Sequence, residues 1–169
     1  MTVLAEAPIR SSYESECSRY RYSLIEDLGP GNRSITWVML NPPTIDEAAD
    51  QTVQLVTSYA RRWGYDKMTI VNLFAYRALE PQDLAAIEDP VGPENRWFVR
   101  KAVTDAELVV VGWGDGVSYA HSRPRTLDDL IELRRANAAL LCFGLTAAGN
   151  PVHPASVAET TIPVVWRAP

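Results

Sequence analysis

The 169-residue chain is poor in cysteine, histidine and lysine, and it has no long apolar run. Its two cysteines, Cys17 and Cys142, form no Cys-x-x-Cys, which excludes zinc ribbons, thioredoxin-type motifs and four-cysteine iron–sulfur clusters. The two histidines, His121 and His153, have no metal-ligand spacing around them, so neither a metal nor another cofactor is expected. The longest apolar stretches, Ala138–Phe143 and Leu108–Trp113, fall far short of the ~20 residues that a membrane span needs. Residues 1–10 lack the basic start and apolar run of a signal peptide, so the expected location is cytoplasmic, with no membrane partner. Basic charge is scarce as well: 16 Lys and Arg face 21 Asp and Glu, a net charge of −5. The deficit extends over both halves, which leaves no electrostatic footprint for tight binding of duplex DNA. Most cations are Arg, which either suits local contact with a phosphate or carboxylate or reflects a GC-rich genome.

What is present is a globular composition, 47% hydrophobic and 22% charged. A body of this length buries roughly 70% of its unfolded surface, so its core needs no staple. Residues 1–15 read as a loosely held arm and 16–169 as one α/β domain. Arg19–Ile25 alternates polar and apolar residues, Gly29-Pro30-Gly31-Asn32 is a strong turn, and Ile35–Leu40 is a second strand. These two strands are expected to pair as a hairpin or wide antiparallel pair, with the N-terminal one at an edge. Val53, Val56, Ala60 and Trp63 form one helical stripe from about Asp50, and Gly64 stops it. Further strands are read at Lys67–Leu73, Glu107–Trp113 and Ala138–Phe143, and helices over Pro81–Ile87, from Asn95 to about Val103, and over Thr126–Ala136. Apolar strands alternating with helices predict a three-layer α/β/α sandwich around a mostly parallel, four-stranded sheet.

Ligands of open α/β sheets bind at the carboxyl ends of the strands, and polar residues gather there. One strand ends in Asn41-Pro42-Pro43-Thr44 with Asp46, Glu47 and Asp50 beyond it; the next ends in Asn72 with Arg77 five residues on. The third ends in Gly112-Trp113-Gly114, and the fourth leads to Gly144 and then His153. An Asn amide offers donors and an acceptor together, which suits the edge of a nucleobase. Trp113 suits stacking on its face. Each residue also has a plainer role open to it: Asn41 in a turn, Asn72 bracing that turn, Trp113 in core packing, His153 as a surface cap, and the acids on a helix dipole.

Tyr20-Arg21-Tyr22-Ser23-Leu24, Leu40-Asn41-Pro42-Pro43-Thr44, Val71-Asn72-Leu73-Phe74-Ala75-Tyr76-Arg77, Asp89-Pro90-Val91-Gly92-Pro93-Glu94-Asn95 and Gly112-Trp113-Gly114 occur in order. Together they resemble the bacterial and phage domain-of-unknown-function family 1643, over roughly Tyr20 to Trp166. More distantly, Leu40-Asn41-Pro42, Val71-Asn72, Val111-Gly112-Trp113-Gly114 and Val152-His153-Pro154-Ala155-Ser156 are similar to motifs of the uracil-DNA glycosylase superfamily. That likeness implies a parallel four-stranded sheet between helices, an Asn41 that positions water, an Asn72 that reads the base, and a His153 that stabilises the departing base. The chain departs from the pattern at Pro42-Pro43-Thr44, where a glycine would let a base approach, and at Ala155-Ser156, and it has no clear counterpart of the Leu wedge.

The resulting expectation is a hydrolase or glycosylase-like enzyme acting on the N-glycosidic bond of a nucleobase, nucleotide or single-stranded nucleic acid. Asn41, Asp46 and His153 would be catalytic; Tyr22, Thr44, Asn72, Arg77 and Trp113 would bind substrate. Since an amide cannot take a proton, Asp46, Glu47 or Asp50 would activate water. Two other readings stand beside it: a binding module with the same pocket and no hydrolysis, and an enzyme for another small metabolite, to which the Asp89–Asn95 block is the best clue. No oligomeric state follows from the sequence.

Overall fold

Alternation along the apolar strands decides which side chain reaches which layer. In β3 (Ser34–Met39), Ile35, Trp37 and Met39 enter one apolar cluster, while Val38 enters the other and the Thr36 hydroxyl donates to the Ala102 carbonyl at 3.0 Å. In β4 (Lys67–Asn72) and β5 (Leu108–Val111) the same period sends Met68, Ile70 and Val110 to the first cluster and Val71, Val109 and Val111 to the second. Helix α1 (Gln51–Arg62) covers the first cluster with Val53, Val56, Tyr59 and Ala60. Helices α2 (Asn95–Asp105) and α3 (Arg125–Arg135) cover the second with Val99, Val103, Leu130 and Ile131. Helices on both faces of one sheet make three layers. Fully burying a side chain of Val or Leu size contributes about 1.5–3 kcal/mol, so these two clusters hold the fold. The computed structural model describes residues 9–46, 50–136 and 138–168.

The sheet has seven strands among the described residues, in the order β1-β2-β4-β3-β5-β6-β7, where β1 is Ile9–Glu14, β2 Arg21–Asp27, β6 Leu140–Cys142 and β7 Val164–Val165. It is mixed: β3 pairs parallel with β4 and β5, and β5 with β6, whereas the β1–β2, β2–β4 and β6–β7 pairs are antiparallel. The mostly parallel, four-stranded sheet expected from the sequence is thus too small and too uniform, since three of the six pairings are antiparallel. The expected pairing of the first two apolar strands also does not occur. β3 has β4 and β5 on its two sides, which leaves it no free edge, so β2 joins the outer side of β4, with Leu24 opposite Ile70. Part of the presumed N-terminal arm is ordered, since Ile9–Glu14 is the edge strand and pairs Ile9 with Asp27. The helix expected at Pro81–Ile87 is a 3-10 turn over Pro81–Ala86.

Helix α1 leaves the carboxyl end of β3 toward one face, and α3 leaves that of β5 toward the other. Neighbouring parallel strands whose connections part to opposite faces leave a crevice at their carboxyl ends, the place where α/β proteins bind ligands. Among the described residues no helix is long and apolar enough to cross a membrane.

Candidate functional site

A cavity of about 430 Å³ occupies that crevice. Each strand end contributes to it: Asn41 after β3, Asn72 ending β4, Trp113 and Asp115 after β5, and His153 from the loop after β6. Residues from four separate strand ends, more than a hundred positions apart, therefore line one space. A larger groove of about 690 Å³ is lined by residues of α2 and of β1, β2, β3 and β4, and none of the candidate catalytic or binding residues lines it.

Asn72 continues the Met68 and Ile70 series onto the α1 face, at the end of β4. It is 2% exposed, and its Nδ2 has no hydrogen-bond partner in the protein. Leaving a buried amide donor unsatisfied costs about 1–3 kcal/mol, and Asn72 lines the cavity, so a ligand that reached this donor would recover that cost. Its main chain is held firmly: Asn95 Nδ2 donates to the Asn72 carbonyl at 2.9 Å and to the Leu73 carbonyl at 3.2 Å, and the Thr126 hydroxyl donates to Leu73 at 2.7 Å. Asn95, fully buried at the start of α2, thus positions Asn72 through the backbone. The rigid Asp89–Asn95 block delivers it there. Gly92, at φ +88°, passes beneath Tyr20, whose ring carbon would lie 2.8 Å from a Cβ at that position. Asn95→Ala is expected to lower stability by roughly 1–3 kcal/mol, read in urea unfolding, because two buried carbonyls lose a shared donor. An unchanged midpoint would remove this role.

Trp113 is buried, packs edge-on against Trp166 at 5.3 Å, and leaves its indole Nε1 without a partner. Its glycine neighbours have geometric reasons: a Cβ at Gly112 would meet Pro154 at 2.9 Å, and Gly114 adopts φ +66°. This packing brings the His153 loop against the end of β5. The Ala155 N–H donates to His153 Nδ1 at 3.1 Å, so the neutral imidazole carries its proton on Nε2. Burial pushes the His153 pKa below the usual histidine value, only partly opposed by the negative charge of Asp50. Asp50 lines the same cavity and caps α1, its Oδ1 accepting from Thr52 N at 2.8 Å and Val53 N at 3.3 Å.

The other expected residues are placed differently. Asn41 lines the cavity, but its Nδ2 donates to the carbonyls of Pro42 at 3.0 Å and Ala78 at 3.1 Å, bracing two loops. Tyr22 lies outside the cavity, buried in a stack with Phe98 at 5.1 Å and Tyr20 at 6.2 Å, where its ring area is removed from water. Arg77 is not at the cavity either; its guanidinium pairs with Glu14 at 2.9 Å, tying the loop to β1. Thr44 and Asp46 are exposed and outside the lining, although Pro43 just before them belongs to it. Glu47 lies outside the described residues.

A carboxylate of the cavity carries no mark in the sequence as a candidate. Asp115 follows Gly114, and its Oδ1 accepts from the Thr146 hydroxyl at 2.6 Å and from Asn150 Nδ2 at 2.8 Å. These two bonds hold its pKa below the usual carboxylate value. The flanking glycines of Gly114-Asp115-Gly116 were the available signal: a Cβ at Gly116 would sit 2.4 Å from Leu40.

Residues 21–155 match the family described as protein of unknown function (DUF1643). No curated protein and no solved structure matches the chain. The likeness to uracil-DNA glycosylases accordingly has no support beyond the short motifs.

Proposed function

The chain belongs to DUF1643, a family of proteins of unknown function, and from the chemistry of its cavity we propose that it acts on the N-glycosidic bond of a nucleobase or nucleotide. The observation that carries this reading is the unpartnered, buried amide of Asn72 in a cavity shared with Trp113 and His153. A flat, hydrogen-bonding heterocycle satisfies that amide and presents an edge to the His153 Nε2–H. The short likeness to glycosylase motifs at Asn41, Asn72, Trp113 and His153 supports the same reading.

In this reaction, water attacks the anomeric carbon and gives its proton to a carboxylate. The bond from that carbon to the base nitrogen breaks, and its electron pair leaves with the base. The His153 Nε2–H stabilises the negative charge that grows there. Asp50, rather than the exposed Asp46, is the acid placed for the water, because one oxygen caps α1 and the other is left for the cavity. A second reading, binding without hydrolysis, is favoured by Asn41: both hydrogens of its amide are spent on loop carbonyls, which leaves only Oδ1 to hold a water.

Incubation of the protein with a library of nucleosides and nucleotides, followed by mass spectrometry, tests the proposal. Free base is the expected product. Intact compounds that stabilise the protein against heat for hours would select the binding reading, and a library with neither effect would overturn both.

A further inference from the structure

Resting on the nucleobase reading of this cavity, we propose that Asp115 is the residue that reads the sugar, and that the site takes an uncharged ribonucleoside rather than a nucleotide or a nucleic acid strand. Three observations carry this. First, Asp115 is fixed. Thr146 and Asn150 both donate to its Oδ1, from the loop after β6, so the carboxylate is oriented before any ligand arrives and its second oxygen keeps its acceptor capacity. An ionised carboxylate only accepts hydrogen bonds. Its natural partners are the hydroxyls of a sugar, and a carboxylate reading ribose hydroxyls is a recurrent device at the strand ends of α/β folds.

Second, the position is right for a two-part ligand. Asn72 and Trp113 are buried at the ends of the central strands, whereas Asp115 is exposed to solvent. A base held on Asn72 leaves its sugar at the outer part of the same cavity, toward Asp115. Third, the charge is wrong for phosphate. The ionisable groups of the lining, among the described residues, are Arg21, Asp50, Asp115 and His153. Arg21, 2% exposed, is one cation to the two carboxylates of the lining, and burial lowers the His153 pKa, which favours its neutral form. A phosphate monoester carries about −1.5 to −2 charges at pH 7, and each carboxylate within reach repels it. The net charge of −5 adds to that repulsion for a longer anion.

The test is a thermal-shift and calorimetric comparison at low salt. The probes are the four common ribonucleosides, their 2′-deoxy counterparts, their 5′-monophosphates and a single-stranded oligonucleotide. The expected result is binding of at least one ribonucleoside, roughly tenfold tighter than its monophosphate and roughly tenfold tighter than its 2′-deoxy form. Asp115→Asn should close the gap between ribose and deoxyribose and narrow the gap to the monophosphate, as should added salt for the latter. A monophosphate or the oligonucleotide binding as tightly as the nucleoside would overturn the inference and leave the nucleobase reading standing. So would a ribose preference that persists in Asp115→Asn. If no nucleobase compound binds at all, the nucleobase reading itself fails. The wild-type comparison alone decides the matter should Asp115→Asn fail to fold.

Discussion

Replacing Asn72 with alanine is expected to weaken the response of the protein to a bound nucleoside while leaving its own melting temperature unchanged or higher. The two halves of this result come from one fact. The Nδ2 group is buried without a partner in the protein, so the fold carries its desolvation cost of about 1–3 kcal/mol and gets no hydrogen bond in return. Alanine removes that cost from the ligand-free protein. The same change removes the donor that a bound heterocycle would use, which weakens binding by about 1–3 kcal/mol, or roughly 5- to 150-fold. A residue that served only the fold would behave in the opposite way, with lower stability and no effect on ligand. Thermal unfolding of Asn72→Ala with and without the best nucleoside separates the cases.

His153→Ala carries the second large effect. If its Nε2–H meets the charge growing on the departing base, the variant loses a preorganised donor, and kcat should fall about 10²- to 10³-fold with little change in KM. The same histidine predicts a pH dependence. Its pKa in the folded protein lies below the usual value of 6.5, so protonation is disfavoured by the fold. The stability from this group is present above pH 6.5 and is lost as pH falls through the lowered value. Protonation also puts a hydrogen on Nδ1, where it would face the Ala155 N–H that now donates to that atom. Activity should therefore decline on the acid side with the loop, and His153→Gln should lack that acid limb. An acid limb identical in wild type and variant would place the titrating group elsewhere.

The parts legible in the sequence are those with local causes. The β3, β4 and β5 runs are continuously apolar because helices cover both of their faces, and α1 shows its stripe at Val53, Val56 and Ala60 between the Asp50 cap and Gly64. The rule that ligands sit at strand ends then locates Asn41, Asn72, Trp113 and His153 without any contact being known. What stayed hidden depends on partners distant in the chain. Ile9–Glu14 has no buried residue, so its strand character comes only from pairing with β2. No local signal tells β2 to choose β4 over β3. β7 has only two residues. Among the candidate residues, Arg77 and Tyr22 have chemistry that suits a ligand, but Glu14 and Phe98 engage them in the fold. Asp115 and Asn95 were inconspicuous as a turn acid and a helix-start amide. Their importance lies in the Thr146, Asn150 and Asn72 contacts that only the folded chain supplies.

Side-chain amide and imidazole resonances of Asn72 and His153, followed by NMR during titration with ribonucleosides, test the shared cavity most directly. A single heterocycle held between them should shift both sets together, saturably and with one dissociation constant. Shifts at one residue without the other, or at neither while the ligand binds elsewhere, would contradict the account.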